Sequence, residues 1–246
     1  MKNVNAVILA AGKGTRMPKA EIPKVLYELD NKPMIEYIVD NLISIGIKKP
    51  IVVVGYQAEK IKKFLGGRAQ YALQKEQLGT GHATKAAEGL LKGKKGTALV
   101  IYGDMPLWSE ETYKSLIKKQ IKDKAEVVMT SIELPKEYAY GRVIRDREGK
   151  ISGVIEEKDC SPEELRVKEK NAGLYAFDNV WLFENLVRLQ SNNVQHEYYL
   201  TDMIGLAVNQ GKKVETVWAK NPEEGMGVNT LEDYKAVQRT ASLLNY

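Results

Sequence analysis

Apolar positions along this chain alternate between short solid blocks and stretches of helical periodicity. Residues 4–9 (VNAVIL) form a largely apolar run that reads as a buried strand, and they feed a loop rich in Gly and Lys. Pro33 opens a helix whose apolar side carries Met34, Ile35, Tyr37, Ile38, Leu42 and Ile45, with Gly46 as its stop. Strands are predicted at 51–54, 69–73 and 98–102, and helices at 58–65 and 82–91. This order predicts a Rossmann-like α/β fold, a mostly parallel sheet with helices on both faces. In the second half, 142–145 and 150–155 flank Asp146-Arg147-Glu148-Gly149, which predicts a β-hairpin. A polar helical stretch follows at 161–168, then a strand at 173–177 and helices near 180–189 and 201–209. A strand at 214–217 and a final helix over 230–244 complete the pattern. One domain with a β-rich insertion in its second half is the simplest arrangement.

Composition narrows the classes of function. The 246 residues are 43% hydrophobic and 28% charged, ordinary values for a globular protein, and no apolar run approaches the ~20 residues that span a bilayer. The apolar run at the N-terminus ends at Ala11 and turns into a Gly/Lys/Arg loop, so it reads as a buried strand and not as an export signal. Cys160, the single cysteine, has no partner for an intramolecular disulfide, which fits an expected cytoplasmic location. His82 and His196 lack metal-ligand spacing, so no zinc site is expected. The net charge is +5, but lysines such as those in 114–124 fall on helical stretches where a solvated face explains them. No nucleic-acid-binding motif accompanies the charge. Small polyanionic substrates are the better expectation, with neither nucleic acid nor membrane as partner.

Three segments carry candidate chemistry. The loop Leu9-Ala10-Ala11-Gly12-Lys13-Gly14-Thr15-Arg16-Met17, with Pro23-Lys24-Val25-Leu26 beyond it, follows the first strand. Small residues there let backbone N–H groups approach phosphate oxygens, and Arg16 and Lys24 add positive charge. The spacing is neither a Walker A loop nor G-x-G-x-x-G, because Met17 stands where the third Gly would be. The segment Tyr102-Gly103-Asp104-Met105-Pro106 ends a strand, where a carboxylate is well placed to hold Mg²⁺ against phosphates. In Gln74-Lys75-Glu76-Gln77-Leu78-Gly79-Thr80-Gly81-His82-Ala83, two glutamines offer donors and acceptors for a nucleobase edge. Taken singly, each segment also has a bland reading as a turn or a polar loop.

In this order, the segments resemble the sugar-1-phosphate nucleotidyltransferases. Within that group they are most similar to the uridyltransferase (pyrophosphorylase) domain of bacterial N-acetylglucosamine-1-phosphate uridyltransferases. The resemblance extends through Tyr140-Gly141-Arg142, Glu156-Glu157-Lys158-Asp159, Asn171-Ala172-Gly173, Glu197-Tyr198-Tyr199-Leu200-Thr201-Asp202 and Gly227-Val228-Asn229, and so covers nearly the whole chain. It implies a nucleotidyltransferase domain over 1–229, followed by a C-terminal helix over 230–246 with no β-helix acetyltransferase domain. It implies that Ala10, Ala11, Gly12, Gln74, Gln77, Gly79 and Thr80 bind the nucleotide, and that Arg16 and Lys24 are catalytic. Asp104 and Asn229 would hold Mg²⁺, and Gly141, Glu156, Asn171, Tyr199 and Thr201 would bind the sugar phosphate. Ala172 replaces a Thr of the family pattern, and Met226 stands where an acidic residue is common.

The implied reaction joins UTP and N-acetylglucosamine 1-phosphate into UDP-N-acetylglucosamine and pyrophosphate, by a chain expected to be a monomer. The acceptor phosphate is already an anion, so no Ser, Cys or His nucleophile and no general base is required. Two rivals stand beside this reading: a uridylyl- or thymidylyltransferase acting on glucose 1-phosphate or another sugar 1-phosphate, and a non-catalytic nucleotide-sugar-binding module. The presence of Arg16, Lys24, Asp104 and Asn229 together argues against the module.

Overall fold

A computed structural model describes residues 3–17, 22–134 and 138–243. In chain order the strands are β1 (Val4–Ala10), β2 (Glu28–Leu29), β3 (Lys32–Pro33), β4 (Ile51–Val54), β5 (Gln70–Leu73), β6 (Thr97–Tyr102), β7 (Val127–Ile132), β8 (Arg142–Arg145), β9 (Ile151–Ile155), β10 (Lys170–Asp178) and β11 (Val214–Trp218). The α-helices are α1 (Met34–Ser44), α2 (Ala58–Leu65), α3 (Thr80–Lys85), α4 (Glu88–Leu91), α5 (Glu110–Asp123), α6 (Asn179–Asn185), α7 (Asp202–Asn209) and α8 (Leu231–Leu243).

The apolar runs of β1, β4 and β6 are buried on both faces, and this explains why they show no polar alternation. They lie in a sheet of order β11-β7-β10-β6-β1-β4-β5. Six of these seven strands run in one direction, and β10 alone runs antiparallel, between β6 and β7. The sheet is therefore mostly parallel and Rossmann-like. The predicted β8–β9 hairpin forms and hangs from the start of β10 through Lys170 and Arg142.

Successive side chains of β1 point to opposite faces, which gives two apolar layers. Ile8 packs with Ile38 and Leu42 of α1, Ile61 of α2, and Leu116 of α5. Val7 packs on the other face with Ala83 of α3, Leu91 of α4, Phe183 of α6, and Met203 of α7. A third cluster seats Val237 and Ala241 of α8 against Tyr27, Leu29 and Met226, and Tyr234 meets the Tyr27 ring edge-on at 5.7 Å.

Two expectations from the pattern need correction. The helical stretch expected at 161–168 is a single 3-10 turn, Glu164–Arg166, held by reciprocal bonds between Ser161 and Glu164. It buries no residue, so no packed stripe exists to extend the turn. The helix expected at 82–91 begins earlier, at Thr80, and breaks into α3 and α4 around Ala86 and Ala87. The pattern also does not single out β7, although all its residues are buried and it carries the edge strand β11. The expected last helix is α8, and Leu244 at its predicted end lies outside the described residues. Among the described residues, no helix is long and apolar enough to cross a membrane.

Candidate functional site

The carboxyl ends of β1, β4, β5 and β6 share one edge of the sheet, and the loops leaving that edge build two adjoining clefts. The first, of about 350 Å³, is lined by Ala10, Ala11, Gly12, Lys24, Gln74, Gln77, Gly79 and Thr80. The second, of about 890 Å³, is lined by Tyr140, Gly141, Glu156, Asn171 and Gly227 among others. Arg16, Thr80, Tyr102, Asp104, Gln195 and Asn229 line both. The residues expected to bind the nucleotide thus share one cleft, and the junction includes Arg16, Asp104 and Asn229, three of those expected to handle phosphate and metal.

Local bonding explains how each wall is held. Gln74 is 3% exposed, and its Nε2 donates to the Gly79 carbonyl at 3.2 Å and contacts His82 Nδ1 at 3.0 Å. Gln77 lies beside it and donates to the Gln74 carbonyl at 3.4 Å. Gly79 has φ +105°, and a Cβ there would meet the Tyr198 carbonyl oxygen at 2.7 Å, so the close approach of these two segments requires glycine. Gly81 N–H donates to the same carbonyl at 2.7 Å, and Leu200 N–H donates to Thr80 Oγ1 at 2.9 Å. These bonds dock the Gln74–Ala83 segment onto the one that carries Tyr199 and Thr201.

At the junction, Lys24 Nζ forms an ion pair with Asp104 and donates to Asn229 Oδ1 at 3.3 Å. Arg16 Nη2 donates to the same Asn229 oxygen at 3.1 Å. Val228 N–H donates to the Asp104 carbonyl at 2.9 Å, which joins the two acceptor-bearing segments through their backbones. Asp104 and Asn229 are far apart in sequence, yet their side-chain oxygens converge on one cation, the Lys24 ammonium. That hard-oxygen donor set fits Mg²⁺, which needs only one or two protein ligands when phosphates and water complete its shell. Among the described residues there is no group of three or more His, Cys, Asp or Glu that could hold a metal by itself.

In the second cleft, Glu156 accepts from Thr201 Oγ1 at 2.8 Å. Burial, with the carboxylates of Asp202, Asp159 and Glu197 nearby, pushes the Glu156 carboxyl above its usual range, and the Thr201 bond opposes this. Asn171 is 4% exposed; its Nδ2 donates to the Tyr175 hydroxyl at 2.6 Å, while its Oδ1 is buried with no partner. An unpaired buried acceptor in a cleft wall is suited to a ligand N–H or O–H. Gly173 has φ +68°, and a Cβ there would strike the Tyr102 ring at 2.7 Å. Burial also raises the Tyr102 hydroxyl well above the usual phenol value, so it stays neutral between the two clefts.

A group whose folded-state pKa is raised holds its proton more tightly when folded, so its stabilising contribution is complete at low pH and falls as pH rises through that pKa. Glu156 therefore costs stability at neutral pH. We expect Glu156→Gln, which keeps an acceptor for Thr201, to melt a few degrees above the parent at pH 8, the scale on which about 1 kcal/mol moves a domain of this size. The gain should vanish near pH 4. Calorimetric scans at both pH values check this, and equal melting temperatures at pH 8 would contradict it.

Tyr199 and Thr201 are both buried and line neither cleft. Thr201 reaches the second cleft only through Glu156. Ala172 points into the apolar layer beside Ile132 and Gly225, so the hydroxyl missing there faces the core and not the cleft. Met226 packs in the α8 cluster, where Thr240 Oγ1 contacts its sulfur at 3.7 Å. Sequence reasoning missed Gln195, which lines both clefts from the loop before Glu197. Its only signal was a polar residue just ahead of the Glu197–Asp202 segment.

Comparison with known proteins agrees in extent with this architecture. Residues 5–222 match the nucleotidyl transferase family. The bifunctional protein GlmU of Exiguobacterium sibiricum is 45% identical over 91% of this chain and 50% of its own length. That of Enterococcus faecalis is 47% identical over 93% of this chain and 50% of its own, and that of Staphylococcus carnosus 42% over 91% and 49%. The chain spans about half the length of these curated relatives.

Proposed function

Because this chain belongs to the nucleotidyl transferase family, we propose that it transfers a uridylyl group from UTP to N-acetylglucosamine 1-phosphate, releasing pyrophosphate, with Mg²⁺ as cofactor. The observation that carries this reading is the junction of the two clefts, where Arg16, Lys24, Asp104 and Asn229 converge. One cleft takes the nucleotide, the other takes the sugar, and the phosphates meet between them.

In this reaction an oxygen of the sugar phosphate bonds to the α-phosphorus of UTP while the bond from that phosphorus to the bridging oxygen of the leaving pyrophosphate breaks. The nucleophile arrives as an anion, and no side chain has to take its proton. What the site has to supply is positive charge and alignment. Asp104 and Asn229 would hold Mg²⁺, which when bound would supply positive charge against the phosphates brought together here. Arg16 and Lys24 face the triphosphate and stabilise charge passing to the leaving group. The backbone of 10–12 lies against the nucleotide, and Gln74 and Gln77 read the uracil edge through amide donors and acceptors. Glu156 and the free Asn171 Oδ1 accept from sugar hydroxyls and the acetamido N–H, with Gly141 leaving room for the ring. Thr201 orients Glu156, and Tyr199 supports the wall behind it.

The test is to incubate the protein with Mg²⁺, one nucleoside triphosphate and one sugar 1-phosphate, and to identify products by mass spectrometry. UDP-N-acetylglucosamine should form fastest, well ahead of products from dTTP, GTP or glucose 1-phosphate. Faster use of glucose 1-phosphate would overturn the sugar assignment, and no product from any pair would overturn the transferase reading.

A further inference from the structure

Glu224 is a buried carboxylate, 5% exposed, that lines neither cleft and takes no part in the chemistry above. Its Oε2 accepts three hydrogen bonds: from Ser109 N–H at 3.0 Å, Ser109 Oγ at 2.8 Å and Thr112 Oγ1 at 2.7 Å. Ser109 caps α5, and a negative charge is favoured beside that helix N-terminus. Three donors on one buried oxygen fix its place closely, since a carboxylate removed from water is tolerated only where it is fully bonded.

The position of this clamp in the chain gives it a second meaning. Ser109 closes the short buried loop that leaves Asp104 through Met105, Leu107 and Trp108. Glu224 opens the buried run that leads through Met226 and Val228 to Asn229. The same run is gripped by Tyr140, whose hydroxyl donates to the Gly225 carbonyl and accepts from Gly227 N–H, both at 2.8 Å. It ends on the bond from Val228 N–H to the Asp104 carbonyl. The two segments that present oxygen to the Lys24 ammonium are thus tied together at Glu224 and again beside the site.

We propose that Glu224 is a positioning residue that sets the separation of Asp104 and Asn229, and through it the affinity of the protein for a divalent cation. This rests on the metal assignment made under the proposed function. A staple that merely stabilised the fold would lower the melting temperature and leave cation affinity in the folded protein unchanged. A positioning residue moves the affinity itself, because supporting contacts behind a metal site typically govern 10–100-fold of it.

The experiment measures Mn²⁺ binding by paramagnetic resonance, with UTP present and well below the melting temperature, for the full chain and three variants. Glu224→Gln should weaken Mn²⁺ about tenfold or more, and Thr112→Val, which removes one donor of similar shape, should weaken it by a smaller factor. Glu223→Gln, at the exposed neighbouring carboxylate, should match the parent. In turnover, the Mg²⁺ concentration for half-maximal rate should rise in step, with KM for the sugar 1-phosphate unchanged. If Glu224→Gln fails to fold, Thr112→Val decides the question. Parent-like Mn²⁺ affinity in a folded Glu224→Gln, or in Thr112→Val alone, overturns the positioning role and leaves the proposed function standing. A parent that binds no Mn²⁺ with UTP overturns the metal assignment beneath both.

Discussion

Replacing Lys24 by Ala is expected to lower kcat for pyrophosphate release by about 10²–10³, the usual loss when one preorganised charged contact to a transition state is removed. The fold should be unaffected, because Lys24 opens a single 3-10 turn, Lys24–Leu26, and its ammonium is bonded to Asp104 and Asn229 and not to the apolar core. Its ammonium bridges the two oxygens assigned to the metal, which gives the substitution a second effect of opposite sign. Without nucleotide, Lys24 competes with a divalent cation for Asp104 and Asn229. Its removal should therefore tighten Mn²⁺ binding to the nucleotide-free protein while turnover collapses. Rapid-mix pyrophosphate assays and Mn²⁺ titrations read the two effects separately. Wild-type turnover in Lys24→Ala would remove this residue from the chemistry, and weaker Mn²⁺ binding would remove it from the cation site.

Asp104→Asn should also cost about 10²–10³ in turnover, but with the contrary effect on metal. The amide is neutral, so the site loses the negative charge that a divalent cation needs, and Mn²⁺ binding should fall with or without UTP. The bond from Val228 N–H reaches the Asp104 backbone carbonyl, which the substitution leaves in place, so the melting temperature should change little. Raising Mg²⁺ should recover part of the rate. Full activity at ordinary Mg²⁺ would contradict the assignment. The two variants together separate charge on the phosphates from charge on the metal.

Part of the way these residues come together is legible in the sequence. The small residues at 10–12 end β1 and open the loop beyond it, and all three line the first cleft. The resemblance names Gly79, but its close approach to the Tyr198 carbonyl is visible only in the fold. The pairing of Asp104 with Asn229 came from family resemblance alone, because no periodicity links residues so far apart in sequence. What stayed hidden depended on tertiary contacts. The apolar run of β7 is interrupted by the polar pair Thr130-Ser131, which the fold buries, and β10 reverses direction in a sheet that the βα order predicts to be mostly parallel. The resemblance places Tyr199 and Thr201 with the sugar; in the fold both are buried, and Thr201 bonds Glu156, which lines the second cleft. Nothing in the sequence marks Glu224, because its three donors come from Ser109 and Thr112 in a distant segment.

The central claim is direct transfer between two substrates that meet at the junction of two clefts. Its most direct test is pyrophosphate release from UTP and Mg²⁺, measured with and without N-acetylglucosamine 1-phosphate. Release should be stoichiometric with UDP-N-acetylglucosamine when the acceptor is present, and absent, without even a burst, when it is omitted. Pyrophosphate formed from UTP alone, or none formed with both substrates, would contradict the account.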